Sequence, residues 1–318
     1  MPSGGGCMTT FVRTDGRPVR VVPGFRDRVL GSRPSVTPRP DWTAEDYARA
    51  ADKKLARARR LVAAVARRHD RLDGAAVLDV GCGDGINCLV LAAVAVRRAV
   101  GVDLRLPLFE SGEMAAPARR LAGLVRERLE RARRRAHATA GPPPSVRFVR
   151  ADATRLAFPD ACFDVLVSRS AMEHIAPVER ALAEMARVVR PGGVIHLRVD
   201  PYFWLRGCHK RGLVDIPWAH ARMTLEDFRR FVTESEGAAM AATRCARLQT
   251  LNRLTLGQWR SLIGAGPFEV LEWTEEPSAF AVALLEECPD VGDSLAEGVE
   301  RRDLIHGRLE IWLRVTKA

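Results

Sequence analysis

Residues 77–85 read Val-Leu-Asp-Val-Gly-Cys-Gly-Asp-Gly, a short apolar run that ends in three glycines at alternate positions, Gly81, Gly83 and Gly85. An apolar pattern typical of a helix follows over residues 86–94. Glycine is required where the chain turns sharply or where a ligand lies against bare backbone. A strand, a glycine turn and a helix N-terminus in this order predict a pocket for a nucleotide-like ligand.

Two features of the turn indicate which ligand it takes. In the dinucleotide fingerprint the third glycine comes five residues after the first, and Ile86 occupies that position here, which disfavours a dehydrogenase. Asp79 lies at the end of the strand, and Asp84 lies between the last two glycines. Carboxylates this close to the turn suit a cationic ligand better than a pyrophosphate.

At these positions the chain resembles the class I S-adenosylmethionine-dependent methyltransferases, whose first motif is an apolar strand followed by Asp-x-Gly-x-Gly-x-Gly. Asp79, Gly81, Gly83 and Gly85 match that motif position by position. S-adenosylmethionine carries an ammonium and a sulfonium group and no phosphate. The resemblance therefore implies that these residues, together with Asp84, bind S-adenosylmethionine.

The second and third predicted strands each end in a carboxylate. The second ends in Asp103-Leu104, where a carboxylate offers two acceptor oxygens to the ribose hydroxyls. The third ends in Asp152-Ala153. By resemblance, the acid of this pair binds the adenine amino group and the backbone of the next residue binds the adenine ring.

The fourth and fifth predicted strands complete the match, which covers roughly residues 43–200. The fourth, residues 162–168, ends in Ser168, a candidate contact for the carboxylate of the cofactor. The fifth runs through residues 190–199. The resemblance implies an α/β fold, a doubly wound, mostly parallel seven-stranded sheet of Rossmann-like type with an antiparallel last strand and helical cap insertions.

The chain divides into four predicted segments. We expect a flexible leader over residues 1–40 and the cofactor-binding core over residues 41–200. A cap or substrate insertion follows over residues 201–265, and residues 266–318 hold the last two strands with an inserted segment between them. Thr43 begins a capping-box pattern that predicts a long helix before the glycine motif.

Composition narrows the choice of partner and location. No charge-free stretch of about 18 apolar residues occurs, so no membrane span is expected. Seven scattered cysteines are typical of reduced thiols in a cytoplasmic protein. The net charge is +11, but only four of the 50 basic residues are lysines and arginine is spread along the whole chain. A nucleic acid is therefore not expected as a partner.

Three histidines are candidates for the general base that a hydroxyl acceptor would need. His174 follows the fourth strand, and His209 and His220 lie in the insertion that follows the fifth. A metal is not expected, because Cys208, His209 and His220 lack a second close pair of ligands.

The predicted function is methyl transfer from S-adenosylmethionine to a small-molecule acceptor, a hydroxyl of a secondary metabolite or a sugar. Three alternatives stay open: an N-methyltransferase acting on a small molecule, one acting on nucleic acid, and a non-catalytic cofactor-binding partner protein. Residues 200–203, Asp-Pro-Tyr-Phe, resemble a motif of enzymes that methylate DNA bases, but they follow the fifth strand rather than the fourth. The sequence leaves open whether the protein is a homodimer.

Overall fold

The computed structural model describes residues 9–31, 41–69, 72, 74–92, 96–105, 116–136 and 145–316. These residues fall into two compact units. The cofactor unit, as we call it, consists of the described parts of Ser35–Val199, Ile263–Trp273 and Glu310–Ala318. The second unit consists of the described parts of Met1–Pro34, Asp200–Leu262 and Thr274–Leu309.

The strands are β1 (Thr10–Val12), β2 (Pro18–Arg20), β3 (Ala76–Val80), β4 (Arg98–Asp103), β5 (Ser145–Arg150), β6 (Phe163–Arg169), β7 (Val189–Val199), β8 (Phe268–Pro277) and β9 (His306–Val315). The α-helices are α1 (Phe25–Gly31), α2 (Ala44–Ala66), α3 (Ile86–Ala92), α4 (Ala116–Ala136), α5 (Val178–Val188), α6 (His209–Gly212), α7 (Ala219–Arg222), α8 (Leu225–Glu236), α9 (Ala238–Gln249), α10 (Leu256–Gly264), α11 (Ala279–Glu287) and α12 (Arg301–Ile305). Single 3₁₀ segments cover Met172–His174 and Pro289–Ser294.

The large sheet has the strand order β5-β4-β3-β6-β7-β9-β8. Strand β3 pairs in parallel with β4 on one side and with β6 on the other, and β6 pairs in parallel with β7. The last strands are antiparallel. This arrangement confirms the predicted doubly wound sheet, and it places the ends of β3, β4 and β6 side by side.

Helix α2 begins where the sequence predicts. The Thr43 side chain accepts a hydrogen bond from the Asp46 amide, and the Thr43 amide donates to the Asp46 carboxylate at 2.9 Å. The helix buries its apolar face, Tyr47, Leu55 and Leu61 included, in the core of the cofactor unit. Strand β3 is buried along its whole length, as is typical of a parallel strand covered on both faces.

The described part of the predicted leader differs from the expected flexible segment. Strands β1 and β2 form a hairpin, and Phe11, Val19 and Phe25 are buried in the core of the second unit. The Val22 amide also donates to the Asp215 carbonyl at 2.7 Å. Apolar residues spaced among arginines and prolines supply enough buried surface to fix this stretch. The other parts of the leader, residues 1–8 and 32–40, lie outside the described residues.

Within the described ranges, no helix has both the length and the hydropathy needed to cross a membrane. Between β4 and β5 the structure describes α4, and residues 106–115 and 137–144 lie outside the described part of the chain.

Candidate functional site

The glycine turn joins β3 to α3 in a backbone conformation that favours glycine. Gly81, Gly83 and Gly85 have φ values of +72°, +51° and +68°. A Cβ on Gly81 would also lie 2.2 Å from the Cβ of Ala171, just beyond the end of β6. Gly81 is therefore required both for its left-handed backbone and for the close approach of the chain that follows β6.

Asp103, at the end of β4, holds this turn in place. The Gly83 amide donates to Asp103 Oδ2 at 3.0 Å, and the Arg105 amide donates to Oδ1 at 3.2 Å. The Val102 carbonyl accepts from the Gly81 amide at 2.8 Å. Each carboxylate oxygen keeps a second lone pair, so Asp103 can accept two further hydrogen bonds from a ligand. Leu104, the next residue, is 67% exposed.

Asp79 lies beneath the turn with only 1% of its surface exposed. The Cys88 thiol approaches Oδ2 at 3.7 Å, while Oδ1 has no hydrogen-bond partner among the described residues. Burial raises the pKa of this carboxyl from 3.8 to about 7, and the charge of Asp84 adds to the effect. Cys82 and Cys88 are also buried beside the turn, where burial raises the pKa of both thiols above the usual range.

Asp84 links the turn to α2. Its Oδ2 forms an ion pair with the ammonium group of Lys54, and its Oδ1 accepts from the Ile86 amide at 3.2 Å. The second contact supplies a partner for one of the free amides at the N-terminus of α3.

Asp152 and Ala153 follow β5. Asp152 Oδ1 accepts from both the amide and the hydroxyl of Thr154 at 2.8 Å, and these bonds hold the pKa of its carboxyl below the ordinary value. Ala153 is buried. A cavity of about 560 Å³ opens here. It is lined by Asp152, Thr154, Arg155, Arg180, Ala183 and Glu184.

The chain after β6 carries the first candidate base. Ser168 is fully buried, and its hydroxyl has no hydrogen-bond partner in the described part of the chain. Ser170 has a φ of +52°, a conformation that non-glycine residues rarely adopt and that clusters at functional sites. His174 ends the 3₁₀ turn that follows, and it is half-buried. Because Ala171 lies against Gly81, this turn is next to the glycine turn.

The other two candidate bases belong to the second unit. His220 is buried, and its Nε2 lies 3.1 Å from the Trp204 carbonyl, to which it donates. Burial lowers the pKa of His220 to about 4. His209 begins α6 with a φ of +56° and is half-buried.

A group of basic residues near the turn was missed by the sequence analysis. Lys54 and Arg57 from α2, Arg169 at the end of β6 and Arg198 on β7 line a single cavity of about 210 Å³. Lys54 and Arg57 are three residues apart, a spacing that places them on one helix face. That spacing was visible in the sequence, but an arginine-rich chain offers many such pairs.

Residues 78–197 match a family model described as a methyltransferase domain. The chain is similar to an uncharacterized methyltransferase of Mycobacterium tuberculosis, with 34% identity over 119 residues that make up 37% of this chain and 47% of the relative. It is also similar to the ubiquinone/menaquinone biosynthesis C-methyltransferase of Stutzerimonas stutzeri, with 45% identity over 53 residues, or 17% of this chain and 21% of the relative. The matches to these two proteins span less than half of their lengths.

Among solved structures, the chain is similar to the [4+2]-cyclase SpnF, with 19% identity, a TM-score of 0.44 and coverage of 81% of both chains. It is similar as well to the YcgJ protein of Bacillus subtilis, with 17% identity, a TM-score of 0.44 and coverage of 84% of this chain and 100% of the other. Residues 78–197 therefore contain a methyltransferase domain, and their motif and strand order agree with the class I S-adenosylmethionine-dependent methyltransferases that the sequence resembles.

Proposed function

We propose that this protein transfers a methyl group from S-adenosylmethionine to a hydroxyl group of a small molecule, a secondary metabolite or a sugar. The buried carboxylate of Asp79 carries the proposal, because its Oδ1 has no hydrogen-bond partner among the described residues. A buried acceptor left without a donor costs about 1–3 kcal/mol. The ammonium group of the ligand would supply the missing donor and a compensating positive charge.

The other residues of the glycine turn also suit S-adenosylmethionine. A Cβ on Gly83 would meet no heavy atom within 4 Å, so bare backbone faces open space at this point of the turn. Asp103 keeps acceptor capacity for the two ribose hydroxyls. Asp152, which lines the cavity of about 560 Å³, and the next residue, Ala153, would bind the adenine. Ser168 offers a buried hydroxyl to the carboxylate of the ligand. In this arrangement Asp84 orients the turn through Lys54.

Methyl transfer requires the protein mainly to align the acceptor oxygen with the methyl group. When bound, S-adenosylmethionine supplies a methyl group on a positively charged sulfur, and the sulfur leaves as a neutral thioether. The site holds the acceptor oxygen in line with the carbon–sulfur bond, and such positioning can supply about 7–11 kcal/mol of barrier lowering. A histidine then takes the proton of the acceptor hydroxyl as the new oxygen–carbon bond forms.

Among the three candidate histidines, we favour His174 as this base. It belongs to the cofactor unit and to the turn that follows Ala171. His220 is a much weaker base, because burial lowers its pKa to about 4 and its Nε2 already donates to a carbonyl. His209 stays a second candidate, on the basis of its half-buried position.

The cofactor part of the proposal is tested by isothermal titration with S-adenosylhomocysteine, the demethylated product. Asp103→Asn keeps the shape of the side chain and removes its charge, and we expect it to weaken affinity roughly ten-fold or more, the loss of one charged hydrogen bond. Asp52→Asn, an exposed carboxylate on α2, is the matched control and should bind as the wild type does. Absence of wild-type binding would refute the proposed function.

The catalytic part is tested with an acceptor panel and mass spectrometry of the products. His174→Ala should lower turnover about 10²–10⁴-fold, the usual contribution of a positioned base, with little change in S-adenosylhomocysteine affinity. His306→Ala, a half-buried histidine of the second unit, serves as the control. If His174→Ala retained its turnover, His174 would not be the base, and His209 would be the remaining candidate. Methylation of an amine or of nucleic acid by the panel would replace the hydroxyl acceptor with one of the open alternatives.

A further inference from the structure

A cavity of about 210 Å³ in the cofactor unit has an unusual lining, because cations dominate it. Its volume can hold several water molecules or one oxyanion-sized group. Four of its residues are basic and one is acidic. The lining consists of Lys54, Arg57, Ala58, Asp84, Ile86, Asn87, Arg169, Ser170 and Arg198.

Two arginines of this cavity lie next to each other, although their like charges repel. Arg169 of β6 and Arg198 of β7 are paired residues in the parallel ladder, and the Ser170 amide donates to the Arg198 carbonyl at 2.7 Å, which fixes this register. Like charges on paired residues of neighbouring strands destabilise a sheet. Burial and the charges of Arg198 and Arg57 lower the pKa of Arg169 to about 10, so Arg169 remains charged at neutral pH.

The described carboxylates near the cluster also interact with other groups. Asp84 is paired with Lys54. Glu310 faces Arg169 and Arg198, but it also accepts a hydrogen bond from His196 Nε2 at 2.9 Å. Asp79 is the other carboxylate that acts on Arg169, and the raised pKa of Asp79 leaves it only partly ionised at neutral pH.

We propose that Arg57, Arg169 and Arg198 form a binding site for an acidic group of the methyl acceptor, a carboxylate or a phosphate. Guanidinium groups bind both kinds of oxyanion through paired, charge-assisted hydrogen bonds. Such a ligand would offset the repulsion between Arg169 and Arg198. The inference rests on the proposed methyl transfer, and it narrows the acceptor from any hydroxyl compound to one that carries an acidic group.

Inorganic phosphate is the probe for the test, titrated into protein saturated with S-adenosylhomocysteine at constant ionic strength. Chemical shifts of ¹⁵N-labelled backbone amides report its binding. We expect saturable binding that shifts the Ser170 amide, and Arg169→Gln should weaken it roughly ten-fold or more. Arg169→Lys keeps the charge without the planar fork and should weaken it less.

Two matched variants separate binding from folding. Arg57→Gln and Arg60→Gln change the same residue type on the exposed surface of α2, but only Arg57 lines the cavity. Arg57→Gln should weaken phosphate binding, whereas Arg60→Gln should leave it unchanged. We also expect the thermal midpoint of Arg169→Gln to be no lower than that of the wild type, since the substitution relieves the repulsion between Arg169 and Arg198.

The carboxylate of the cofactor is the other source of an acidic group, and competition distinguishes the two. If S-adenosylhomocysteine displaces phosphate, the cluster serves the cofactor and the inference is overturned. Absence of saturable phosphate binding to the saturated protein overturns it as well. Either result leaves the proposed methyl transfer standing, because that proposal is tested separately, by S-adenosylhomocysteine binding to the wild type and by the acceptor panel.

The acceptor panel provides an independent test of the site. Each acidic compound in the panel is compared with its neutral amide or dephosphorylated form. We expect the acidic member to have the lower KM and Arg169→Gln to raise that KM roughly ten-fold while kcat changes little. Equal KM values for the acidic and neutral members in the wild type would contradict the assignment.

Discussion

Gly81 is the residue at which two loops of the cofactor unit meet. Other residues can adopt its φ of +72° at a modest cost in free energy. However, any other residue would place its Cβ 2.2 Å from the Cβ of Ala171, which is a steric clash. The glycine is thus required by a neighbour that lies 90 positions further along the chain. The sequence motif predicts the glycine without revealing that neighbour.

Gly81→Ala should destabilise the protein and weaken S-adenosylhomocysteine binding, because either the glycine turn or the chain after β6 must move. Gly74→Ala is the matched control, with a φ of +76° and no heavy atom near the added methyl group, so it carries the backbone strain of about 1–2 kcal/mol alone. The double variant Gly81→Ala with Ala171→Gly should recover most of the difference. Chemical denaturation measures all three, and no recovery in the double variant would contradict the contact.

Asp79 gives the protein a pH dependence with a defined sign. Its folded pKa of about 7 lies above the ordinary 3.8, so the folded state binds more protons than the unfolded state between these values. The stability that Asp79 contributes is therefore complete below about pH 4, and it is lost as the pH rises to about 7. Asp79→Asn should match the wild type at pH 4 and be more stable at pH 8, by about 1.4 kcal/mol for each unit of pKa shift.

The effect of Asp79→Asn on ligand binding should be opposite to its effect on stability. At pH 8 the Asp79 variant is expected to bind S-adenosylhomocysteine more weakly, because it lacks the charge that faces the ammonium group. Thermal denaturation with and without the product measures both effects. Greater stability without weaker binding would mean that Asp79 does not contact the ligand.

At the scale of elements, the local pattern at Thr43 predicted the start of α2. Thr43→Ala should lower the stability of the cofactor unit by about 1 kcal/mol, the usual cost of losing an N-cap, because Thr43 and Asp46 bond reciprocally at the start of α2. Thr243→Ala on α9 is the control, since its hydroxyl bonds only to the Ala239 carbonyl one turn earlier. Urea denaturation should show a smaller midpoint shift for Thr243→Ala, and equal shifts would argue against the cap.

Strand identity was also predictable, whereas strand register was not. The apolar runs in β4, β6 and β7 are long enough to be recognised locally. Strand β3 is covered on both faces, so its sequence is apolar throughout most of its length rather than alternating. The pairing of Arg169 with Arg198 depends on residues 29 positions apart and on a register shift between Phe163 and Val165. No periodicity in the sequence encodes that juxtaposition, so the basic cavity became visible only in three dimensions.

At the scale of the molecule, composition was a poor guide to the first described residues. Arginine and proline in the segment 9–31 favoured a flexible leader, yet four of its apolar side chains are buried in the core of the second unit, namely those of Phe11, Val19, Phe25 and Val29. Single apolar residues that are spaced along the chain give little periodic signal, because they pack against side chains far away in the sequence, as Phe11 packs against Phe231. Burial of such residues is decided by tertiary structure.

Product binding should protect one unit selectively. Hydrogen exchange with saturating S-adenosylhomocysteine is expected to slow in peptides covering residues 77–103 and 145–170, since binding to the folded state suppresses local opening there. Peptides from α8 and α9 of the second unit provide the internal control and should exchange at unchanged rates. Protection confined to α8 and α9 would place the ligand elsewhere.

The two sulfur atoms beside the glycine turn have a practical consequence. Cys82 and Cys88 are buried, and burial raises the pKa of both thiols. Because the thiolate is the reactive form and the sulfur atoms are shielded from solvent, we expect both residues to resist peroxide and alkylating reagents. Purification in air should therefore leave the binding of S-adenosylhomocysteine unchanged. Among the described cysteines Cys162 is the half-buried one, which makes it the natural attachment point for a fluorescent label.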